Sequence, residues 1–304
     1  MAPTPRLTLG PVLFNWPAEQ WRDFYFRMAD EAALDTVVVG EIVCEKRLPF
    51  NTPYIPEVIE RLQRAGKQVM VASLGLISSE RERSAARALL DIDGVLVEAN
   101  DISVAAALAG QPHAIGPMIN IYNEGTLTYL AERGAVRVCL PPELSGKSIA
   151  ALAMAAETEL EVQVFGRIPL AISARCYHAR SRGLGKDGCQ YVCADDADGM
   201  VIDTLEAEPF LAVNGTQTLS FSYLNLSAEL AMLRSMGVHR FRLSPQDVDM
   251  VAVATVFDAL LNDRLDADEA DDKLHALCAD TPFSNGFFHA REGRIFIGQE
   301  IVAE

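Results

Sequence analysis

The chain has 304 residues, of which 50% are apolar and 22% charged, a globular composition that excludes intrinsic disorder. With 26 Lys and Arg against 42 Asp and Glu, the formal charge is −16, which argues against non-specific binding to nucleic acid or to an anionic membrane surface. No apolar run approaches the ~20 residues of a membrane helix, no targeting segment is visible after Met1, and a cytoplasmic location is expected.

The first 165 residues read as strand–helix units. The apolar run Leu7–Phe14 is followed by helical spacing over Pro17–Glu31, with Trp21, Phe24, Tyr25 and Met28 on one face. Thr36–Val39 is a short β-branched strand ending at Gly40. Helix Pro56–Ala65, strand Gln68–Ser73, helix Ser79–Leu90 and strand Gly94–Glu98 come next. Helix Ile102–Leu108, strand Ala114–Ile119, helix Glu124–Arg133 and strand Ala135–Leu140 continue the series. Helix Ser148–Glu159 and strand Glu161–Phe165 close it. Seven strands alternating with helices imply a parallel sheet with right-handed crossovers, and favour an α/β, TIM-barrel-like (β/α)-barrel over a small open sheet.

The regular pattern then fails. Residues 166–226 read as a loop- and Cys-rich insert with short β segments at Met200–Thr204, Phe210–Val213 and Leu219–Asn225. A last unit follows: helix Ser227–Met236, strand Val238–Leu243 and helix Gln246–Leu261. A β-like Arg294–Ile297 lies in the tail. No linker rich in Pro, Gly or Ser divides the chain, so residues 1–304 are expected to form a single domain.

Six cysteines need sorting, because cytosolic thiols stay reduced. Cys176, Cys189 and Cys193 are spaced C-x12-C-x3-C among Gly183, Gly185 and Gly188, whose flexible backbone lets several thiolates converge. Cys44 is the best fourth ligand: it follows strand Thr36–Val39, and Cys176 follows the seventh strand, so both belong on the C-terminal rim of a barrel. Soft sulfur ligands select zinc or iron–sulfur clusters. Close C-x2-C pairs, usual in structural zinc sites, are absent. A [4Fe–4S] cluster accepts wider spacing, and becomes the leading cofactor reading. Lys46, Arg47, Arg175, Arg180, Arg182 and Lys186 lie near these cysteines and would stabilise a negatively charged cluster or hold an anionic substrate. Cys139 and Cys278 read as small buried hydrophobes.

Other signals are weaker. Gly183–Gly188 matches G-x-G-x-x-G but lacks the strand before and the helix within that a dinucleotide site requires. His178 reads first as a surface histidine, and Glu41 stands out only for its nearness to Cys44. Asp266–Asp272 reads as a solvated acidic helix face or loop.

Several segments together carry a family resemblance. They are Leu9-Gly10-Pro11-Val12-Leu13, Trp16-Pro17, Gly40-Glu41-x-Val43-Cys44-x-Lys46-Arg47 and Leu170-Ala171-x-Ser173-Ala174-Arg175-Cys176. Ala179-Arg180, Lys186-Asp187-x-Cys189-x3-Cys193, Asn214-Gly215-x-Gln217-Thr218 and Arg242-Leu243-Ser244-Pro245-Gln246 complete the set. In these the chain resembles the U-32 peptidase family, in particular its branch in oxygen-independent ubiquinone biosynthesis. The resemblance implies that Cys44, Cys176, Cys189 and Cys193 ligate a [4Fe–4S] cluster. It further implies a heterodimer with a UbiU-like protein, and a role in hydroxylating the ring of a ubiquinone precursor with prephenate as oxygen source. The alternatives are a U-32-type peptidase, with zinc or no metal, and a non-catalytic subunit in which the cluster only shapes a partner surface. No catalytic acid or base is named by the sequence.

Overall fold

A computed structural model describes residues 4–298. Among the described residues twelve strands form one sheet: β1 Arg6–Leu9, β2 Thr36–Gly40, β3 Gln68–Ala72, β4 Leu96–Ala99, β5 His113–Ile115 and β6 Ala135–Cys139. β7 Glu159–Ile172, β8 Met200–Asp203, β9 Pro209–Asn214, β10 Gln217–Asn225, β11 Arg240–Leu243 and β12 Phe283–Ser284 follow. β1 to β7 pair in parallel and in sequence order, and β11 pairs in parallel with both β7 and β1. Eight parallel strands thereby close into a barrel, as expected. Helices between them bury one face each, such as Trp21, Tyr25 and Met28 of helix Ala18–Asp30.

Closure explains the strand composition. Every residue of β2 is buried, so Val37, Val38 and Val39 meet apolar neighbours on both sides. The interior is not wholly apolar. Arg242 of β11 donates from Nε to Glu161 Oε1 of β7 at 2.5 Å and pairs through Nη2 with Glu98 of β4. Thr8 Oγ1 donates to Glu161 Oε2 at 2.7 Å, and Asn100 Nδ2 to Glu98 Oε1 at 3.1 Å. The glutamates are fully buried. Burial alone would raise the carboxyl pKa of Glu161; the Arg242 and Arg137 guanidiniums and its hydrogen bonds outweigh that and hold it below the ordinary value.

The insert differs from a simple loop excursion. β7 continues past the barrel to Ile172, and its outer half pairs antiparallel with β10, which pairs with β9, and β9 with β8. A barrel strand thus becomes the first strand of a small antiparallel sheet. The expected β segment at Arg294–Ile297 is not a strand. There Asn285 N and Gly286 N both donate to Ile295 O, and Asn285 Oδ1 accepts from Ile297 N at 2.7 Å, so a side chain takes the place of a ladder partner. The C-terminal β structure among the described residues is the short β12, paired with β10. The chain between β2 and β3, read only as a helix from Pro56, begins earlier, with helical turns from Glu45 to Tyr54. Asp266–Asp272 lies at the start of helix Ala267–Leu277, capped by Asp266. Among the described residues no helix is long and apolar enough to cross a membrane.

Candidate functional site

The site begins at the end of β2. Glu41 is buried and accepts from the backbone N–H groups of Val43 at 2.7 Å and Cys44 at 3.0 Å. These bonds fold the chain back at the rim and fix where the Cys44 side chain starts. Burial pushes the Glu41 carboxyl above its usual range, against the pull of Arg47 and the two amides. Glu41 is therefore a positioning residue for the Cys44 turn.

The second part comes from the insert. The β9–β10 turn docks on the first: Thr216 Oγ1 donates to Val43 O at 2.8 Å, and Ser173 N donates to Thr216 O at 2.9 Å. Ser173 lies just past the extended β7, so the turn links both cysteine-bearing segments. Cys176 then caps helix Tyr177–Ser181, and its Sγ accepts from Ala179 N at 3.4 Å. Between Cys189 and Cys193, Gln190 and Tyr191 both adopt left-handed backbone, with φ of 51° and 57°. Two consecutive non-glycine residues in that region are costly, and the cost falls on the short link that aims the last two thiols.

The four cysteines meet. Cys44, Cys176, Cys189 and Cys193 all line one cleft of about 350 Å³, counting space open to solvent, together with Lys46, Arg47, Lys186 and Tyr191. Asn15 Nδ2 points at Cys193 Sγ from 3.4 Å. Among the described residues no group of three or more His, Cys, Asp and Glu is arranged to hold a single metal ion. Burial pushes the Cys44 thiol up to about 12, against the Lys46 amide and the Arg47 charge. Cys176 is raised for the same reason, and its neighbours Cys193 and Cys189 raise it further. In the free protein these two thiols hold their protons, so any metal they take must displace them.

Arg47 forms the floor. It is buried, and its guanidinium donates to Leu13 O at 2.9 Å and to Asn214 Oδ1 at 2.7 Å. Its Nε has no hydrogen-bond partner among the described residues. Gly215, with φ of +67°, leaves room for it: a Cβ there would lie 2.7 Å from Arg47 Nη2. A fixed cation beside soft thiols, with N–H donors aimed at two sulfurs, is a donor set that fits thiolate-bound metal chemistry better than oxygen-ligand metals.

Of the six basic residues singled out in the sequence, Lys46, Arg47 and Lys186 line the cleft. Arg175, Arg180 and Arg182 are exposed, and Arg182 lies 3.8 Å from Asp195. Lys186 ties the insert to the barrel: its Nζ is 3.4 Å from Glu82 Oε1, and its carbonyl accepts from Lys46 Nζ at 2.7 Å. Glu82 also accepts from Ser78 N at 2.7 Å and Ser79 N at 2.8 Å, completing a capping box with Ser79.

Burial works against the Glu82 charge, yet these hydrogen bonds prevail and lower its pKa from 4.5 to about 2. A depressed carboxyl pKa stabilises the fold above the ordinary value and loses that contribution as pH falls from about 4.5 towards 2. Glu82→Gln is expected to lose about 1–2 kcal/mol at pH 7. Urea unfolding should show that deficit shrinking at pH 3. A deficit equal at both pH values would mean that the charge plays no part.

His178 is not the surface histidine the sequence suggested. It is fully buried, and its Nε2 sits 2.8 Å from Asp196 Oδ2, pinning the start of the loop to its end. Cys139 and Cys278 are buried, as expected for core thiols. The Gly183–Gly188 stretch is a loop without a preceding strand or an enclosed helix start. Asn15 and the docking of Thr216 on Val43 carried no signal of their own in the sequence. Asn214 and Gly215 were visible only as part of the family-like segments.

Comparison with known proteins adds the following. The sequence model of peptidase family U32 matches residues 23–297. Among solved structures, a dihydropteroate synthase from Thermus thermophilus is similar at TM-score 0.44 and 12% identity, covering 85% of this chain and 94% of that one. A second structure of that enzyme from the same organism gives TM-score 0.42 and 15% identity, covering 86% and 96%. A Mycobacterium tuberculosis tryptophan synthase gives 0.31 and 11%, covering 90% and 92%. The barrel assignment rests on the strand pairing, not on these likenesses.

Proposed function

Because the chain belongs to peptidase family U32, we propose that its four clustered thiolates hold a [4Fe–4S] cluster and that it serves as a redox subunit. The finer reading is a UbiV-type protein. It would act with a UbiU-like partner in oxygen-independent hydroxylation of a ubiquinone precursor, prephenate supplying the oxygen. The observation that carries the cofactor reading is the shared cleft of Cys44, Cys176, Cys189 and Cys193, drawn from segments more than a hundred residues apart.

When bound, such a cluster would accept and donate single electrons. The chain's own residues do the rest. Asn15 and the Ala179 amide offer N–H groups to Cys193 and Cys176, which stabilises thiolate over thiol and favours a more positive potential. Arg47 offsets the negative charge of four thiolates from below. Glu41 and His178 hold the two segments in place through the Cys44 amide and the Asp196 carboxylate.

The test is anaerobic purification followed by iron and sulfide analysis and paramagnetic-resonance spectroscopy. About four irons and four sulfides per chain are expected, and Cys44→Ala should bleach the protein. Colourless protein containing zinc, or full iron content in Cys44→Ala, overturns the reading. Copurification with the UbiU-like partner tests the assembly separately from the cofactor.

A further inference from the structure

The small antiparallel sheet carries a second concavity that shares no residue with the cysteine cleft. It is a groove of about 1190 Å³, counting its open side. One wall is the sheet, with Leu170, Phe210, Leu211 and Phe221; the other is the C-terminal segment, with Pro282 and Phe287. Leu170 and Phe210 are 42% and 45% exposed, although each is a large apolar side chain. Leaving such surface in water forgoes burial free energy, and a contiguous apolar patch of this kind marks a binding site.

The groove is built rather than incidental. The C-terminal wall is fixed by the pairing of Asn285 and Gly286 with Ile295. Gly293 lies flat against the Phe287 ring, where a Cβ would stand 2.3 Å from Cζ. Ser220 and Ser222 also line the groove, their hydroxyls already hydrogen-bonded, and its charged groups are Glu208, Glu292 and Arg294, none of which makes an ion pair among the described residues. A slot between two walls, lined by rings and branched side chains with charges few and uncompensated, suits a slender small molecule better than the broad surface of a protein.

We infer that this groove binds a small molecule through a hydrocarbon chain laid between the sheet and the C-terminal segment, its polar end among Glu208, Glu292 and Arg294. The inference does not depend on the cluster reading.

The experiment uses the full chain and displacement of 1-anilinonaphthalene-8-sulfonate by straight-chain alcohols from hexanol to tetradecanol. Affinity should rise about threefold to fourfold per added methylene and level off once the groove is filled. Leu211→Trp, which fills the groove, and Phe210→Ala, which removes an already exposed ring, should each weaken tetradecanol binding about tenfold with an unchanged melting profile. Absence of saturable displacement, affinity independent of chain length, or wild-type binding in both variants would overturn the inference, the first of these being the result expected of a surface covered by a protein.

Discussion

Arg242→Ala is expected to lose about 3–5 kcal/mol of unfolding free energy, the largest stability effect of any single substitution considered. The reason is not the worth of the ion pairs but what remains without them. Glu98 and Glu161 have no exposed side-chain surface, and Arg242 is the residue that pairs with both. Truncation strands two carboxylates inside the barrel, where desolvation dominates. Urea unfolding at pH 8 gives the size. In wild type, Glu161 has a depressed pKa and adds stability above the ordinary carboxyl range. In the variant, burial without Arg242 drives that pKa upward, so the penalty is present at high pH and relieved as pH falls. The gap between variant and wild type should therefore narrow from pH 8 to pH 5. Replacing Glu98, Glu161 and Arg242 together with apolar residues of similar volume should recover most of the loss. A stability within about 1 kcal/mol of wild type in Arg242→Ala would show that the interior carboxylates find other partners.

Arg47→Met is expected to cost about 3 kcal/mol, because the bonds to Leu13 O and Asn214 Oδ1 are charge-assisted and leave buried acceptors behind. It also strips the counter-charge from Glu41, whose pKa is already raised by burial. The β9–β10 turn should loosen, and with it the docking of the insert on Val43. In cluster-loaded protein, loss of the cation should lower the reduction potential and speed bleaching in air. Arg47→Lys separates the two effects: it keeps the charge but not the forked hydrogen bonds, so the potential should stay closer to wild type than the stability does. An unchanged potential in Arg47→Met would remove the electrostatic role while leaving the structural one.

The contrast between Arg242 and Arg47 bears on what could be read in advance. Arg47 stood beside Cys44 in sequence and was singled out for that reason. Arg242 was noticed only within a family-like segment, since its partners Glu98 and Glu161 are 144 and 81 residues away. The β2 strand was legible because its valines, buried on both faces, leave a short β-branched run. The tail at Arg294–Ile297 has the same local look and is not a strand. Its backbone partner is the Asn285 side chain, a tertiary feature that no local pattern announces.

His178 shows the same limit from the other side. A histidine in a glycine-rich loop reads as solvent-exposed, yet its ring is buried with Nε2 2.8 Å from the partly exposed carboxylate of Asp196, eighteen residues on. Burial of a polar side chain depends on finding a partner, and the partner is set by how the loop closes.

The alternation of strands and helices, and with it the barrel, was legible along the chain because periodicity and glycine stops are local properties. So was the set of side chains with the chemistry to ligate a soft metal, since thiols are identified by composition alone. The meeting of Cys44 with the other three cysteines was expected from their places at strand ends; two features needed the folded molecule: Arg47 underlies the cysteines, and β7 runs beyond the barrel to carry the insert back over the rim. These depend on contacts between residues far apart in sequence, made when the barrel closes and the β9–β10 turn docks against Val43.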